Sequence, residues 1–425
     1  MTSSLASRTV VLIGLRPGDL NILDTRGLDL HAVVSSRAER ALTDRLRQRL
    51  ASLLVLDLPG RRMDEYDEHA PAIAAWVGRL AGAVRVVSLY EHTQRVAARI
   101  REMTGIPGLL PDVARRCRDK VEMTEAVSAA GVATVPTLPV DAGAAVTDAS
   151  SWLHKEGANR VILKPRAGAA SGGVMQFASP REFERFFIDH RLPPDYEVQP
   201  FIEDPVCHID GLVRNDKLRF LSVSRYVGTT LRYQRDRKPM GSVTLDRHAH
   251  EEARVFTTAV LDALDIRDSV FHLEAFGGSE GFRFLEIGAR FGGINIQPHL
   301  RRVYGIDLVT EALRAQALLP SVVNGPTLAC DRIAPGSSGW LIVPRPSPAA
   351  SRVRAVHLPH LPPAVIEVVR PQVGDELRAQ GAELDAVVRM VLSVPGGNDA
   401  EVEALITSFA DAVAVNLETR QETVS

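Results

Sequence analysis

Val161-Ile162-Leu163-Lys164-Pro165-Arg166-Ala167-Gly168-Ala169-Ala170-Ser171-Gly172-Gly173-Val174-Met175-Gln176-Phe177 is the stretch on which the reading of this chain turns. An apolar run of strand character delivers Lys164 at its end, and a loop with Gly168, Ser171, Gly172 and Gly173 follows at once. Glycines let backbone N–H groups close over phosphate oxygens, and a neighbouring lysine neutralises them. No Gly-Lys-Ser/Thr follows, so the spacing is not that of a P-loop. Alone, the pattern suits a phosphate cradle and a plain surface turn equally.

Two acidic residues downstream sharpen the choice. Glu274 lies in Phe271–Phe276 (FHLEAF) and Glu286 in Phe282–Gly293 (FRFLEIGARFGG), each between apolar neighbours. A carboxylate in such a place is costly unless it is paired or binds a cation. If the two strands run antiparallel through a turn at Gly277–Gly281, both carboxylates converge on one spot. Hard oxygen ligands of this kind suit Mg²⁺ bridging nucleotide phosphates. The plainer alternative is an ion pair for each, with Arg290 or Arg283. Arg290 itself, just past Glu286, can hold a phosphoryl oxygen or a carboxylate in its planar fork, or serve as a structural ion pair.

The remaining sequence frames these elements. A length of 425 residues implies two or three domains. With 45% hydrophobic residues, 24% charged and a net charge of −2, the composition is that of a globular protein with no field to recruit nucleic acid or an anionic membrane. The basic clusters Arg115, Arg116, Arg118, Lys120 and Arg232–Lys238 are expected to be solvated faces. The cysteines, Cys117, Cys207 and Cys330, are too scattered for a disulfide framework, which fits a reducing cytoplasm. The N-terminus reads as a first strand rather than a signal peptide. No apolar run is long enough to span a membrane.

Alternation predicts buried strands at Thr9–Gly14, Leu53–Leu58 and Val84–Leu89, with helices at Ala38–Leu50 and Pro71–Ala81 between them. The Gly14–Gly18 turn lacks the dinucleotide-binding spacing. A helix over Thr124–Ala130 ends at Gly131, and an amphipathic helix is expected at Pro180–His190. Asn215-Asp216 marks a hairpin turn. Residues 226–242 read as a long basic connection. A helix then covers Glu251–Leu264, and another covers Glu401–Leu417.

In their order, these elements resemble the ATP-grasp superfamily, and within it the carboxylate–amine ligases, the group of the bacterial L-amino acid ligases and carnosine synthase. The resemblance runs through nearly the whole chain. It implies a mixed α+β and α/β fold of three domains: an N-terminal Rossmann-like α/β domain (1–115), a linker helix and central lid lobe (116–225, the lid at about 135–200), and a C-terminal lobe with the metal strands and a terminal subdomain (226–425). ATP would lie between two antiparallel sheets. Lys120 and Lys164 match the phosphate-binding lysines and 167–174 the mobile glycine-rich lid. Gln199, Phe201 and Ile202 belong to the hinge that holds adenine by backbone hydrogen bonds. Glu274 and Glu286 match the Mg²⁺ ligands, with Mn²⁺ a workable substitute, and Arg290 the arginine that meets the transferred group.

Three positions depart from the pattern. Gln199 stands where glutamate is common. Val206 replaces the usual ribose-binding glutamate, leaving Glu203, Asp204 or His208 for the ribose. Gly288 replaces an asparagine, leaving one magnesium position to water or Asn295. The activity implied is phosphorylation of a carboxylate by ATP to an acyl phosphate, then capture by an amine, with Lys164 and Arg290 at the reacting centre. Small-molecule acid and amine substrates are expected, amino acids first among them, with no nucleic acid or membrane partner; a homodimer is one allowed assembly. The alternatives are a purine- or carboxylase-type enzyme of the same superfamily, and a nucleotide-binding protein without turnover.

Overall fold

Near-continuous Val, Leu and Ile runs build the first sheet, as expected of parallel strands buried on both faces. β1 (Arg8–Ile13), β2 (Leu28–Ser35), β3 (Ser52–Leu56) and β4 (Arg85–Ser88) pair in the order β3-β2-β1-β4, all parallel. The computed structural model describes residues 8–58, 65–140, 145–169, 171–187, 192–323, 325–332, 336–347, 349, 351–377 and 386–419. The helices Ala70–Val77 and Glu91–Thr104 pack on this sheet. The helix expected at Ala38–Leu50 is instead two short ones, Ser36–Arg40 and Asp44–Arg47. Thr43 separates them because its hydroxyl caps the second, accepting the Leu46 N–H at 3.4 Å.

The lid sheet comprises β5 (Leu138–Val140), β6 (Val161–Pro165), β7 (Met175–Phe177) and β8 (Tyr196–Pro200), ordered β5-β8-β6-β7 and antiparallel. The helices Val146–Lys155 and Pro180–Phe187 cover one face, burying Leu153, Phe183 and Phe187. The last residues of the predicted Pro180–His190 helix lie outside the described residues.

A nine-stranded sheet forms the rest of the cleft. Its path includes β9 (Val206–Arg214), β10 (Lys217–Val227), β11 (Met240–Thr244), β12 (Ser269–Gly278) and β13 (Gly281–Gly288). β14 (Thr327–Leu328) pairs with β10, and β15 (Gly336–Pro344) follows β11 in the sheet. β16 (Ser351–His357) belongs to a separate three-stranded sheet, whereas β17 (Val365–Val369) closes the large one. β18 (Glu376–Leu377) flanks β16, β19 (Ala386–Pro395) joins β15 to β17, and β20 (Ala414–Thr419) completes the small sheet. The hairpin at Asn215-Asp216 forms as expected, both residues having positive φ (51° and 56°).

Two expectations are corrected here. Residues 226–242 are not a long connection: β10 runs on to Val227, a helix spans Thr230–Asp236, and β11 begins at Met240. The Thr229 hydroxyl caps that helix and Tyr233 is buried beneath it, so the basic residues mark only its outer face. The terminal helix ends at Ala412, and the chain continues as β20 against β16. No helix among the described residues is long and apolar enough to cross a membrane.

Candidate active site

β12 and β13 pair antiparallel with Glu274 directly opposite Glu286, and a bulge follows Glu274. Both carboxylates therefore leave the same face of the sheet, as their spacing predicted. Glu286 Oε2 lies 3.1 Å from Lys120 Nζ. Burial pushes the Glu286 carboxyl up, but Lys120, Lys164 and Arg290 outweigh it and bring it down to about 2. The ammonium of Lys120 also donates to the Gly168 carbonyl at 2.8 Å, joining the glycine-rich loop to the metal strands. Lys120 opens the helix Lys120–Ala129, whose N-cap Asp119 accepts the Val121 and Glu122 N–H groups. The cap directs the lysine inward. Lys120 and Arg118 are buried, at 8% and 4% exposure, so only Arg115 of this basic run is exposed, with Arg116 half-buried.

Lys164 is held on β6 opposite Glu197 of β8, with Nζ 3.2 Å from the carboxylate. Glu197 is completely buried, and burial raises its carboxyl pKa against the pull of Lys164 and Lys120. Lys164 also acts on Glu286, so two lysines and two glutamates form one charge cluster at the cleft. Glu197 was missed in the sequence, although its placement between Tyr196 and Val198 repeats the pattern that singled out Glu274. In the loop, Gly173 has φ +73° and a Cβ there would lie 2.9 Å from Pro165 Cγ. Ser171 Oγ sits 2.8 Å from Thr230 Oγ1, so the loop reaches across to the helix after β10. Ala170 lies outside the described residues.

The hinge residues form a separate patch. The Gln199 amide donates to Thr137 Oγ1 at 2.8 Å. The Phe201 N–H is spent on the Arg160 carbonyl at 2.9 Å, and the Arg160 guanidinium covers its ring at 3.6 Å. Phe201 and Ile202 line a cavity with Pro136, Arg160, Glu203 and Arg283. Phe201 can thus offer a ligand its carbonyl and ring but not its N–H. His208 is removed from the ribose candidates, because it is 2% exposed and bonded to Asp210 and Ser242. Asn295 is likewise no metal ligand: it is 2% exposed, and its amide donates to the Met390 carbonyl.

Arg290 is met from the parallel-sheet side of the molecule. Its Nε and Nη2 donate to Glu91 Oε2 at 3.0 and 2.8 Å, and Nη1 donates to the Phe291 carbonyl at 3.1 Å. Arg118 donates to the other Glu91 oxygen at 2.6 Å. Glu91 carries no sequence signal; it starts a helix some two hundred residues away from Arg290 along the chain. Behind Glu274 lies a buried polar chain. The Tyr226 hydroxyl donates to Glu274 Oε1 at 2.9 Å, and His272 Nε2 is 3.6 Å from the same oxygen. His272 Nδ1 and His208 Nδ1 both bond Asp210, at 2.9 and 2.6 Å. Gly292 passes so close that a Cβ would be 2.4 Å from Asp210 Oδ1. His208, Asp210 and His272 lie near enough together to be considered as metal ligands themselves. Both His208 nitrogens and His272 Nδ1, however, are already spent on Asp210 and Ser242, and His272 Nε2 faces Glu274. Glu274 and Glu286 are the better donor set: partly exposed, on one face of the sheet and, for Glu286, firmly ionised.

A parallel-sheet unit, an antiparallel lid sheet and a large antiparallel sheet facing it make up the ATP-grasp fold, and residues 117–293 match an ATP-grasp domain. An L-amino acid ligase from Bacillus licheniformis has the same architecture, with TM-score 0.69, 14% identity, and coverage of 98% of this chain and 99% of that one. Phosphoribosylglycinamide synthetase from Anaerococcus prevotii gives 0.65 at 12% identity, over 97% and 100% of the two chains. The biotin carboxylase domain of Hydrogenobacter thermophilus 2-oxoglutarate carboxylase, solved with MgADP, gives 0.67 at 16%, over 96% and 90%. No curated protein matches the chain by sequence.

Proposed function

We propose that this protein is an ATP- and Mg²⁺-dependent ligase that phosphorylates a substrate carboxylate and transfers the acyl group to an amine. The observation that carries the reading is the convergence of Lys120, Lys164, Glu274, Glu286 and Arg290 at one cleft beneath a glycine-rich loop. A carboxylate oxygen attacks the γ-phosphorus, the bond to the β-phosphate oxygen breaks, and ADP leaves. The amine nitrogen then attacks the acyl carbon, loses a proton, and expels phosphate.

Little covalent chemistry falls to the protein, whose part is positioning and charge neutralisation. Lys120 and Lys164 would exchange their glutamate partners for phosphate oxygens. Glu274 and Glu286 would hold the metal, which when bound neutralises phosphate charge. Arg290, oriented by Glu91, keeps N–H groups on Nη1 and Nη2 for the transferred phosphoryl group. The loop 167–174 would exclude water, to which an acyl phosphate is vulnerable. The likeness to an L-amino acid ligase favours amino acids as substrates.

Mg-ATP supplied with pairs of amino acids should yield ADP and orthophosphate, read by chromatography with mass spectrometry of the coupled product. AMP and pyrophosphate would reject the acyl phosphate route. ADP formed only with bicarbonate or a ribosylamine would favour the carboxylase- or purine-type reading. Glu286→Gln should keep the fold and lose most turnover, since a neutral amide is a poor Mg²⁺ ligand. Near-normal rates at limiting Mg²⁺ would move the metal elsewhere.

A further inference from the structure

The loops after β1 and β4 carry Arg16 and Tyr90, two side chains that the phosphoryl-transfer machinery does not use. The strand order of the parallel sheet, β3-β2-β1-β4, reverses direction at β1. Connections therefore leave β1 and β4 on opposite sides, and the loops beyond their carboxyl ends part to form a cleft where open α/β sheets bind ligands. Those loops are Gly14–Asp19 and Leu89–Glu91.

Arg16 lies in the first loop with its guanidinium carbon over the Tyr90 ring, 3.7 Å from the centroid, and is exposed to solvent. Buried Asp19 fixes both partners, accepting the Arg16 N–H at 2.8 Å and the Tyr90 hydroxyl. The far side of Tyr90 is closed: its ring stacks on His92 at 5.8 Å and meets Phe291 edge-on at 6.1 Å. Phe291 adjoins Arg290, so the crevice opens beside the reacting centre. The His92 imidazole is held neutral down to about pH 4, by burial first and then by Arg16. Glu91 has both oxygens engaged by Arg118 and Arg290, and Arg16 is an exposed cation beside it among the described residues.

A guanidinium held over an aromatic face, its donor edge without a partner among the described residues, is a preorganised receptor for a planar carboxylate. We propose that Arg16 recognises the free carboxylate of the amine substrate, the one that does not react, and so selects α-amino acids as acceptors. This rests on the ligase reading. It extends that reading by naming the residue that selects the acceptor.

Titration calorimetry on the full chain loaded with Mg²⁺ and a non-hydrolysable ATP analogue tests it, using L-amino acids against their carboxamides. Wild type should bind at least one amino acid about ten- to a hundredfold more tightly than its amide, the worth of a charge-assisted contact. Arg16→Ala should erase that preference, and Arg16→Lys should restore only part of it, because lysine keeps the charge without the fork. Both variants change an exposed side chain, so folding is not at stake. Equal binding of acid and amide in every pair, no binding of any, or a preference that survives Arg16→Ala would overturn the proposal. ADP release is followed in parallel. A wild type that binds amino acids through Arg16 but never releases ADP would sink the ligase reading and the acceptor role with it, leaving Arg16 only as a carboxylate receptor.

Discussion

Asp210 sits between two imidazoles at the bottom of the cleft, 1% exposed, and its interactions set a pH dependence. Burial works against charge on His272, but the Asp210 carboxylate outweighs it and raises the imidazole to about 9. The Asp210 carboxyl is correspondingly depressed, its cost of burial overcome by His272 and His208. A histidine whose folded pKa lies above its unfolded value stabilises the fold fully below the unfolded value, near 6.5. That contribution is lost as pH rises through the folded value. The stability at stake is on the order of 3 kcal/mol, counted once for the pair. Thermal midpoints should therefore fall between pH 6.5 and 9. Asp210→Asn, less stable throughout, should show a flatter slope over that range. Equal slopes would mean that His272 is neutral in the folded protein.

At the scale of elements, the glycine-rich loop is held shut by side chains from two other segments. Lys120 reaches the Gly168 carbonyl, and Ser171 meets Thr230 on the helix Thr230–Asp236. That helix was read in the sequence as an irregular basic connection. Charge density at its surface masked the hydroxyl cap at Thr229 and the buried anchor Tyr233. A single hydroxyl–hydroxyl bond is worth about 1 kcal/mol, so Ser171→Ala should speed amide exchange in 167–174 about fivefold. Exchange in β6 should not change. Unaltered loop exchange would show that the Ser171–Thr230 bridge does not hold the loop, and that closure depends on Lys120.

Over the whole molecule, Glu91 is the residue that ties the parallel sheet to the reacting centre. Its carboxylate is ionised against the cost of burial because Arg290 and Arg118 surround it. Glu91→Gln takes from two largely buried guanidinium groups the carboxylate they share, a loss of about 3 kcal/mol. Urea midpoints should fall accordingly, and kcat should fall with them because Arg290 loses its orientation. Normal kcat in a destabilised Glu91→Gln protein would assign Glu91 a purely structural part.

Much of this arrangement was legible in the chain itself. Lys164 ahead of a glycine loop, and Glu274 and Glu286 between apolar neighbours, are local patterns whose cost is unexplained unless they meet charge. Such costs can be read from a few residues of sequence. Three of the four parallel strands were legible as short apolar runs; β2 was not, because Asp29 and His31 interrupt its apolar residues. What the tertiary structure alone decided is which charges meet. Glu91 on Arg290, Glu197 on Lys164, Asp210 on His272, and Arg16 on Tyr90 all depend on strand register and sheet order. The partners lie on different strands and loops, and side-chain ion pairs act over a few ångströms of space whatever the distance along the chain.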